Sequence, residues 1–153
     1  MKIKRVALDS NCIIGLLSGN PEYEVLKEYF NAAFDEKIQL VMSAVALLES
    51  LPRATDPNID LVNTVMQSDL IEAIDLSRSV IKLASELMET HRMKHTDAAI
   101  LATGILSNCE LLLTNDNGFP FGRSLRNKKG EIMEVSRLVP YGTPEIDFSV
   151  PGS

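Results

Sequence analysis

The sequence predicts an α/β fold, a three-layer α/β/α sandwich whose central sheet has four to five mostly parallel strands. Short apolar runs alternate with stretches of helical periodicity, which is typical of a parallel sheet covered on both faces. Right-handed crossovers between such strands place helices on either side of the sheet. With 153 residues, the chain is long enough for one domain to bury a core without disulfides or structural metals.

The individual elements follow from local signals along the chain. Apolar and β-branched residues predict strands at 3–8, 38–42, 70–74, 110–113 and 132–138. Helices are predicted at 11–18, 21–36, 44–53, 59–68, 75–92 and 97–106. Their start signals are Asn11, Pro21, Ser43, the turn Asp56-Pro57-Asn58, Asp75 or Ser77, and Thr96. The apolar face expected for the second helix consists of Tyr23, Leu26, Phe30 and Phe34.

Composition and charge exclude several classes of function. The net charge of −6 argues against broad nonspecific nucleic-acid binding, which depends on neutralising phosphates, but it permits a local basic patch. Cys12 and Cys109 lie in apolar runs and are interpreted as reduced core residues. The longest uncharged run, 98–109, is too short to span a bilayer. We expect a soluble, cytoplasmic protein with one domain at 1–140 and an irregular tail at 141–153.

Acidic residues recur at the predicted carboxyl edge of the sheet, where such folds bind ligands. Asp9 ends the first strand and Asp116 follows the fourth, so parallel strands bring both acids to one edge. Asp97 starts an apolar helix that must run back across the sheet before the fourth strand, which places it near the same edge. Glu49 shares a helix face with Val45 and is expected to be at least half buried.

Four carboxylates at one edge repel one another, by roughly 3 kcal/mol for a pair about 5 Å apart at an effective dielectric near 20. A fold tolerates this repulsion only if protons or cations neutralise the cluster, and all-oxygen ligands indicate Mg²⁺ or Mn²⁺. A metal pair held by carboxylates can activate water and stabilise the leaving oxygen in phosphodiester hydrolysis. Taken singly, each acid also has a structural interpretation as a turn or helix residue. The four together favour a site.

Other chemistries fit the sequence less well. Asn11 stands where a phosphoaspartate hydrolase of this fold needs a second Asp, and there is no phosphate-binding Gly-rich loop ending in Lys-Ser or Lys-Thr. His91 and His95 lack partners at zinc-ligand spacing. Two basic segments are interpreted either as solvated charge or as contacts to RNA phosphates. Their members are Arg92, Lys94, Arg123, Arg126, Lys128 and Lys129.

Four stretches in series, L-D-S-N-C-I-I-G-L-L, S-A-V-A-L-L-E, T-D-A-A-I-L-A-T-G and L-L-L-T-N-D-N-G-F, resemble the PIN-domain ribonucleases. The chain looks most like the toxins of virulence-associated type II toxin–antitoxin pairs, over about residues 3–120. The resemblance implies an Mg²⁺- or Mn²⁺-dependent endoribonuclease whose acidic metal site is formed by Asp9, Glu49, Asp97 and Asp116. It also implies a homodimer, an antitoxin partner, and supporting roles for Asn11, Thr114 and Asn115.

The alternative is a PIN-like module that binds RNA or protein without cutting. The complete set of four acids favours the nuclease. Asn117-Gly118 stands where many relatives carry a further acidic or basic residue, which leaves open whether the site holds one metal or two.

Overall fold

The fold places one parallel sheet at the centre of the molecule. The structure is a computed structural model that describes residues 3–51, 57 and 59–143. The strands in these ranges are β1 (Arg5–Leu8), β2 (Gln39–Ser43), β3 (Ile71–Ile74), β4 (Leu111–Leu113), β5 (Leu125–Arg126) and β6 (Ile132–Ser136). They are arranged in the order β3-β2-β1-β4-β6-β5, and all neighbours are parallel except β5 and β6.

Helices cover both faces of this sheet, which confirms the predicted sandwich. They are α1 (Ser10–Leu17), α2 (Leu26–Phe34), α3 (Ala44–Glu49), α4 (Ile59–Met66), α5 (Arg78–His91) and α6 (His95–Leu106). None of the helices in the described part of the chain is long and apolar enough to cross a lipid bilayer. Cys12 and Cys109 are buried free thiols, as predicted.

The core lies between the central strands and the helices. Leu8, Leu40, Leu111, Leu112 and Leu113 are completely buried. Burying one such leucine stabilises the fold by about 1.5–3 kcal/mol relative to leaving it in water. Because β1 and β4 are buried on both faces, nearly every residue in them is apolar, and the first polar side chains appear where these strands end.

A buried carboxylate fixes the start of β1. The Glu110 side chain accepts hydrogen bonds from the backbone N–H groups of Lys4 and Arg5, at 2.7 and 2.8 Å. These contacts and the pairing of Leu8 with Leu113 set the register of β1 on β4. The Asp9 N–H continues the ladder to the Leu113 carbonyl at 3.2 Å. Asp9 and Thr114 therefore leave the sheet together at its carboxyl edge.

The structure corrects several predicted boundaries. The helix expected at 21–36 is a 3₁₀ turn (Pro21–Tyr23) followed by α2, because Tyr23 turns inward: a Cβ at Gly15 would lie 2.3 Å from its ring. Phe34, expected on the apolar face, is 76% exposed at the last position of α2. α6 begins at His95 and is preceded by Lys94 as N-cap, not by Thr96. The strand β5 lies where no strand was expected.

Two predicted helix caps are present, and the chain beyond the predicted end of the domain is partly packed on it. Ser43 and Ser77 do cap α3 and α5, accepting hydrogen bonds from Ala46 and Val80. The chain beyond residue 140 still contacts the domain, because the Tyr141 ring packs edge-to-face on Tyr29, with centroids 5.6 Å apart. The helix predicted at 44–53 ends earlier, because α3 stops at Glu49 with Ser50 as its C-cap. The tail at 144–153 lies outside the described residues.

Candidate active site

Asp9 is the most firmly held carboxylate at the carboxyl edge. It is the N-cap of α1, and its Oδ1 accepts from the Ser10 N–H at 2.7 Å and the Ser10 hydroxyl at 3.3 Å. Its Oδ2 accepts from the Thr114 hydroxyl at 2.7 Å. Burial raises the pKa of Asp9, which is only 2% exposed; the hydrogen bonds from Thr114 and Ser10 offset part of this, and nearby Asp116 raises it further.

Thr114 connects two of the acids. While its hydroxyl donates to Asp9, the same oxygen accepts from the Asp116 N–H at 3.0 Å. The Asp116 Oδ1 in turn accepts from the Gly118 N–H at 2.8 Å. The loop after β4 is therefore folded around the carboxylates by a continuous chain of hydrogen bonds.

Asp97 completes the buried part of the cluster. It lies in the first turn of α6 and is 7% exposed. Burial raises its pKa to about 6, with further contributions from the negative charges of Asp116, Asp9 and Glu49, while Lys94 lowers it. The other three predicted acids are therefore near enough to Asp97 to affect its pKa.

Glu49 converges on the cluster but is exposed, so its predicted burial is wrong. It is the last residue of the short helix α3, whose buried side is formed by Ala46 and Ser50. The Ser50 hydroxyl donates to the carbonyls of Ser10, at 3.1 Å, and Ala46, at 2.7 Å. This contact turns the Ala46–Ser50 side inward, and Glu49 remains on the solvent-facing rim of the site.

Asn11 and Asn115 are predicted to support the acids, but unlike Thr114 neither is seen to donate a hydrogen bond to Asp9 in the described residues. Asn11 is exposed, and the side chains and N–H groups that donate to Asp9 in the described residues belong to Ser10 and Thr114. Asn115 braces the loop instead of an acid, because its Oδ1 accepts from the Leu138 N–H at 3.2 Å. The helix cap predicted at Asn11 is supplied by Asp9 itself.

The basic residues lie in two groups, one near the carboxyl ends of the strands and one near their amino ends. Lys94 immediately precedes α6, close enough to influence Asp97, and Arg92 and Arg123 line a cleft beside the loop after β4. Arg126 ends β5, paired with the start of β6, and the hairpin continues through Lys128 and Lys129. The start of β6 is the amino edge of a strand parallel to β4, so these last three residues lie at the edge opposite the acids.

Arg137 is a residue beside the site that the sequence pattern did not indicate. Its guanidinium donates to the Asn115 carbonyl and to the Asn117 Oδ1, and lies 4.1 Å from the centroid of the Phe121 ring. It thereby holds both flanks of Asp116. The signal was present, since Arg137 follows a parallel strand at the same edge, but the residue fell inside the strand predicted at 132–138.

The donor set fits a hard divalent cation. Asp97 and Asp116 face each other across Gly118, where a Cβ would lie 2.6 Å from the Asp97 Oδ2 and 3.2 Å from the Asp116 Oδ1. Within the described ranges, no three Asp, Glu, His or Cys side chains form a ready-made set of ligands for one ion. Mg²⁺ commonly binds through only one or two carboxylates and keeps several waters, which suits an open site of this kind.

A change at Thr114 should affect stability through the hydrogen bonds it makes. We expect Thr114→Val to lower the free energy of unfolding by about 2 kcal/mol, because it leaves the buried Asp9 carboxylate and the Asp116 N–H without their partner. Thr114→Ser keeps the hydroxyl and should lose less than half as much. Urea unfolding at pH 7.5 measures both; equal losses would contradict a role for the hydroxyl.

A parallel α/β/α sandwich that gathers carboxylates at the carboxyl edge of its central strands defines the class of this protein. The family model of the PIN domain matches residues 6–121, which is more than half of the chain. The protein therefore belongs to the PIN-domain family. No curated protein sequence matches the chain.

Solved structures share this fold. A chain of a toxin–antitoxin complex from Klebsiella pneumoniae is 25% identical, with a TM-score of 0.58, and the match covers 74% of this chain and 89% of that one. A chain of DNA-bound VapBC from Salmonella typhimurium is 17% identical, with a TM-score of 0.61 and coverages of 88% and 98%. VapC20 of Mycobacterium tuberculosis, a toxin that cleaves the sarcin–ricin loop, is 13% identical, with a TM-score of 0.59 and coverages of 73% and 90%.

Proposed function

We propose that this protein is a PIN-type nuclease of the toxin kind, an endoribonuclease that hydrolyses RNA phosphodiester bonds with the aid of Mg²⁺ or Mn²⁺. The observation that carries the proposal is the gathering of Asp9, Asp97 and Asp116 at the ligand-binding edge of the sheet, where Thr114 joins Asp9 to the Asp116 loop and Asp97 lies across Gly118 from Asp116. Carboxylates that lie close together repel one another and do not stabilise the fold. Such a cluster is typical of a site that binds a cation.

Asp97 and Asp116 would hold the cation, with Asp9 and Glu49 as further or water-mediated ligands. A divalent ion bound there would supply a Lewis acid and lower the pKa of a water molecule. Asp9 is oriented by Ser10 and Thr114, so its carboxylate presents a fixed direction toward the cluster. The pKa of Asp97, about 6, lies below pH 7.5, so its carboxylate is mostly ionised at that pH and able to hold a cation.

The buried acids and the exposed rim of the site have different expected roles. Burial of Asp9 and Asp97 excludes water from one side of the site and would strengthen the electrostatic attraction between these carboxylates and a bound cation. Glu49 on the rim lies where an RNA strand can approach from solvent. Arg137 keeps the Asp116 loop in place while substrate enters.

Cleavage of structured RNAs by the purified protein tests the proposal. We expect cleavage with Mg²⁺ or Mn²⁺, none with EDTA, and none by an Asp9→Asn variant. Cleavage that survives both EDTA and the substitution would exclude the proposed mechanism. If no RNA in a broad panel is cut with either metal, the alternative of a noncatalytic RNA- or protein-binding PIN module is favoured.

We also propose an antitoxin as protein partner, a homodimer, and action on RNA in the cytoplasm. The Klebsiella relative comes from a toxin–antitoxin complex, which supports the partner. An apolar cleft of about 430 Å³ between α3, α5 and α6 is lined by residues that include Val45, Ile81 and Met88, and offers a surface for a protein. Coexpression with the product of a neighbouring small gene, followed by measurement of mass and RNA cleavage, tests the partner and the dimer together.

A further inference from the structure

A second cleft has two arginine side chains in its lining and lies near the loop that carries Asp116. It has a volume of about 360 Å³, and its lining residues are Thr90, His91, Arg92, Pro120 and Arg123. Both arginines are exposed, so their guanidinium groups are available to a ligand. None of these lining residues is acidic, although the protein as a whole has a net charge of −6.

Both walls of the cleft belong to chain segments that also carry acids of the site. On one wall, Arg92 is separated from α6 only by Met93 and Lys94, and α6 carries Asp97 in its first turn. On the other wall, Pro120 follows the loop that carries Asp116. Arg92 and Arg123 thus approach the acids from two different chain segments. A ligand seated between them lies near the two chain segments that carry Asp97 and Asp116.

Arg92 is one of three non-glycine residues with a positive φ in the described part of the chain, together with Glu36 and Asn108. Arg92 ends α5 in the left-handed conformation, with φ 54° and ψ 42°. Glycine or asparagine usually occupies that position, because other residues meet steric strain there. In this protein the position is occupied by Arg92. The last carbonyls of α5 carry partial negative charge, which favours cations at this helix end but repels anions, so the cleft depends on its arginines to attract an anion.

We propose that this cleft binds a backbone phosphate of the RNA strand, beside the phosphate that is cut; the inference rests on the proposed nuclease function. The guanidinium fork of arginine matches two phosphate oxygens at once. Such a subsite explains how an acidic protein holds a polyanion next to its own carboxylates. The cluster of Arg126, Lys128 and Lys129 lies at the opposite edge of the sheet and is not part of the subsite.

RNA binding by a cleavage-deficient Asp116→Asn protein in Mg²⁺ tests the subsite. The probes are a fluorescein-labelled stem–loop RNA and labelled poly(U), followed by anisotropy as the salt concentration is raised. Adding Arg92→Gln and Arg123→Gln together should weaken binding about 10- to 100-fold. The slope of log affinity against log salt should also become shallower by about 0.7–0.9 for each phosphate that the variant no longer neutralises.

Matched variants make the result specific. Arg78→Gln changes the same residue type at the other end of α5, about 20 Å away along the helix. Lys128→Gln with Lys129→Gln removes the same charge as the arginine pair at the opposite edge. Both controls should bind like the Asp116→Asn parent. Circular dichroism checks that every variant is folded.

The outcomes separate the subsite from the nuclease. If the arginine pair binds RNA like the parent, if the lysine pair weakens binding instead, or if the parent binds neither probe, the subsite is disproved. If the wild-type protein cleaves no RNA but binding still depends on Arg92 and Arg123, the subsite stands and the nuclease function fails. In a cleaving wild type, the arginine pair should raise KM and leave kcat within about threefold.

Discussion

Replacing Asp97 by Asn should abolish RNA cleavage and stabilise the fold above pH 6. The carboxylate would be lost as a ligand of the cation, and we expect cleavage to fall by at least about 1000-fold. The gain in stability has a separate cause. Burial and the charges of Asp116, Asp9 and Glu49 make the ionised form of Asp97 unfavourable in the folded protein.

The pH dependence of this stability follows from proton linkage. The pKa of Asp97 is about 6 in the folded protein and near 3.8 in the unfolded chain. Between these values the folded state binds more protons, so the free energy of unfolding falls as pH rises, and the penalty is complete above pH 6. Without divalent metal, Asp97→Asn should therefore be more stable than wild type by roughly 3 kcal/mol at pH 8, and the difference should shrink to well under about 1 kcal/mol at pH 4.

Urea unfolding at the two pH values and RNA cleavage assays measure these effects together. Asp35→Asn is the matched control, because it removes the same charge at the exposed end of α2. We expect it to cleave normally and to change stability by less than about 0.5 kcal/mol at either pH. Normal cleavage by Asp97→Asn would remove this residue from the site. Unchanged stability at pH 8 would show that its carboxylate is not buried against the other acids.

Gly118→Ala should reduce cleavage by about 100-fold while leaving the fold intact. The added methyl would lie 2.6 Å from the Asp97 Oδ2 and 3.2 Å from the Asp116 Oδ1, so the carboxylates must move apart. Misplacing a reacting group by about 1 Å can reduce a rate by this factor. The backbone of Gly118 is outside the left-handed region, so alanine is not strained there and stability should change by less than about 1 kcal/mol.

The affinity for Mg²⁺, measured by calorimetry, should fall in parallel with the cleavage rate of Gly118→Ala. Ser124→Ala provides a control on the same loop, since Ser124 is exposed. If Gly118→Ala binds Mg²⁺ and cleaves RNA like wild type, the space between Asp97 and Asp116 is not where the cation is held.

The sequence predicts those features that follow from strand order and strand ends. Asp9 and Asp116 could be placed because each directly follows an apolar strand, and parallel strands end at one edge. Asp97 could be placed because its helix must return across the sheet. The burial of Glu49 could not be predicted, since the contact between Ser50 and Ser10 decides which side of a helix as short as α3 faces inward.

Long-range contacts account for the remaining differences. Arg137 holds the Asp116 loop through groups that follow β4, a partnership that no local pattern in the sequence indicates. The short strand β5 depends on antiparallel pairing with β6, and two residues are too few to give a periodic signal. The 3₁₀ turn before α2 arises because the Tyr23 ring packs directly on Gly15.

The hydrogen bond between Thr114 and Asp9 also has a consequence during protein synthesis. Its two residues are 105 positions apart, and β4 must pair with β1 before the bond can form. On the ribosome, a nascent chain that has emerged only as far as α5 has neither Asp97 nor Asp116 beside Asp9. We therefore expect the growing polypeptide to be harmless to the RNA that surrounds it until most of the domain has been translated.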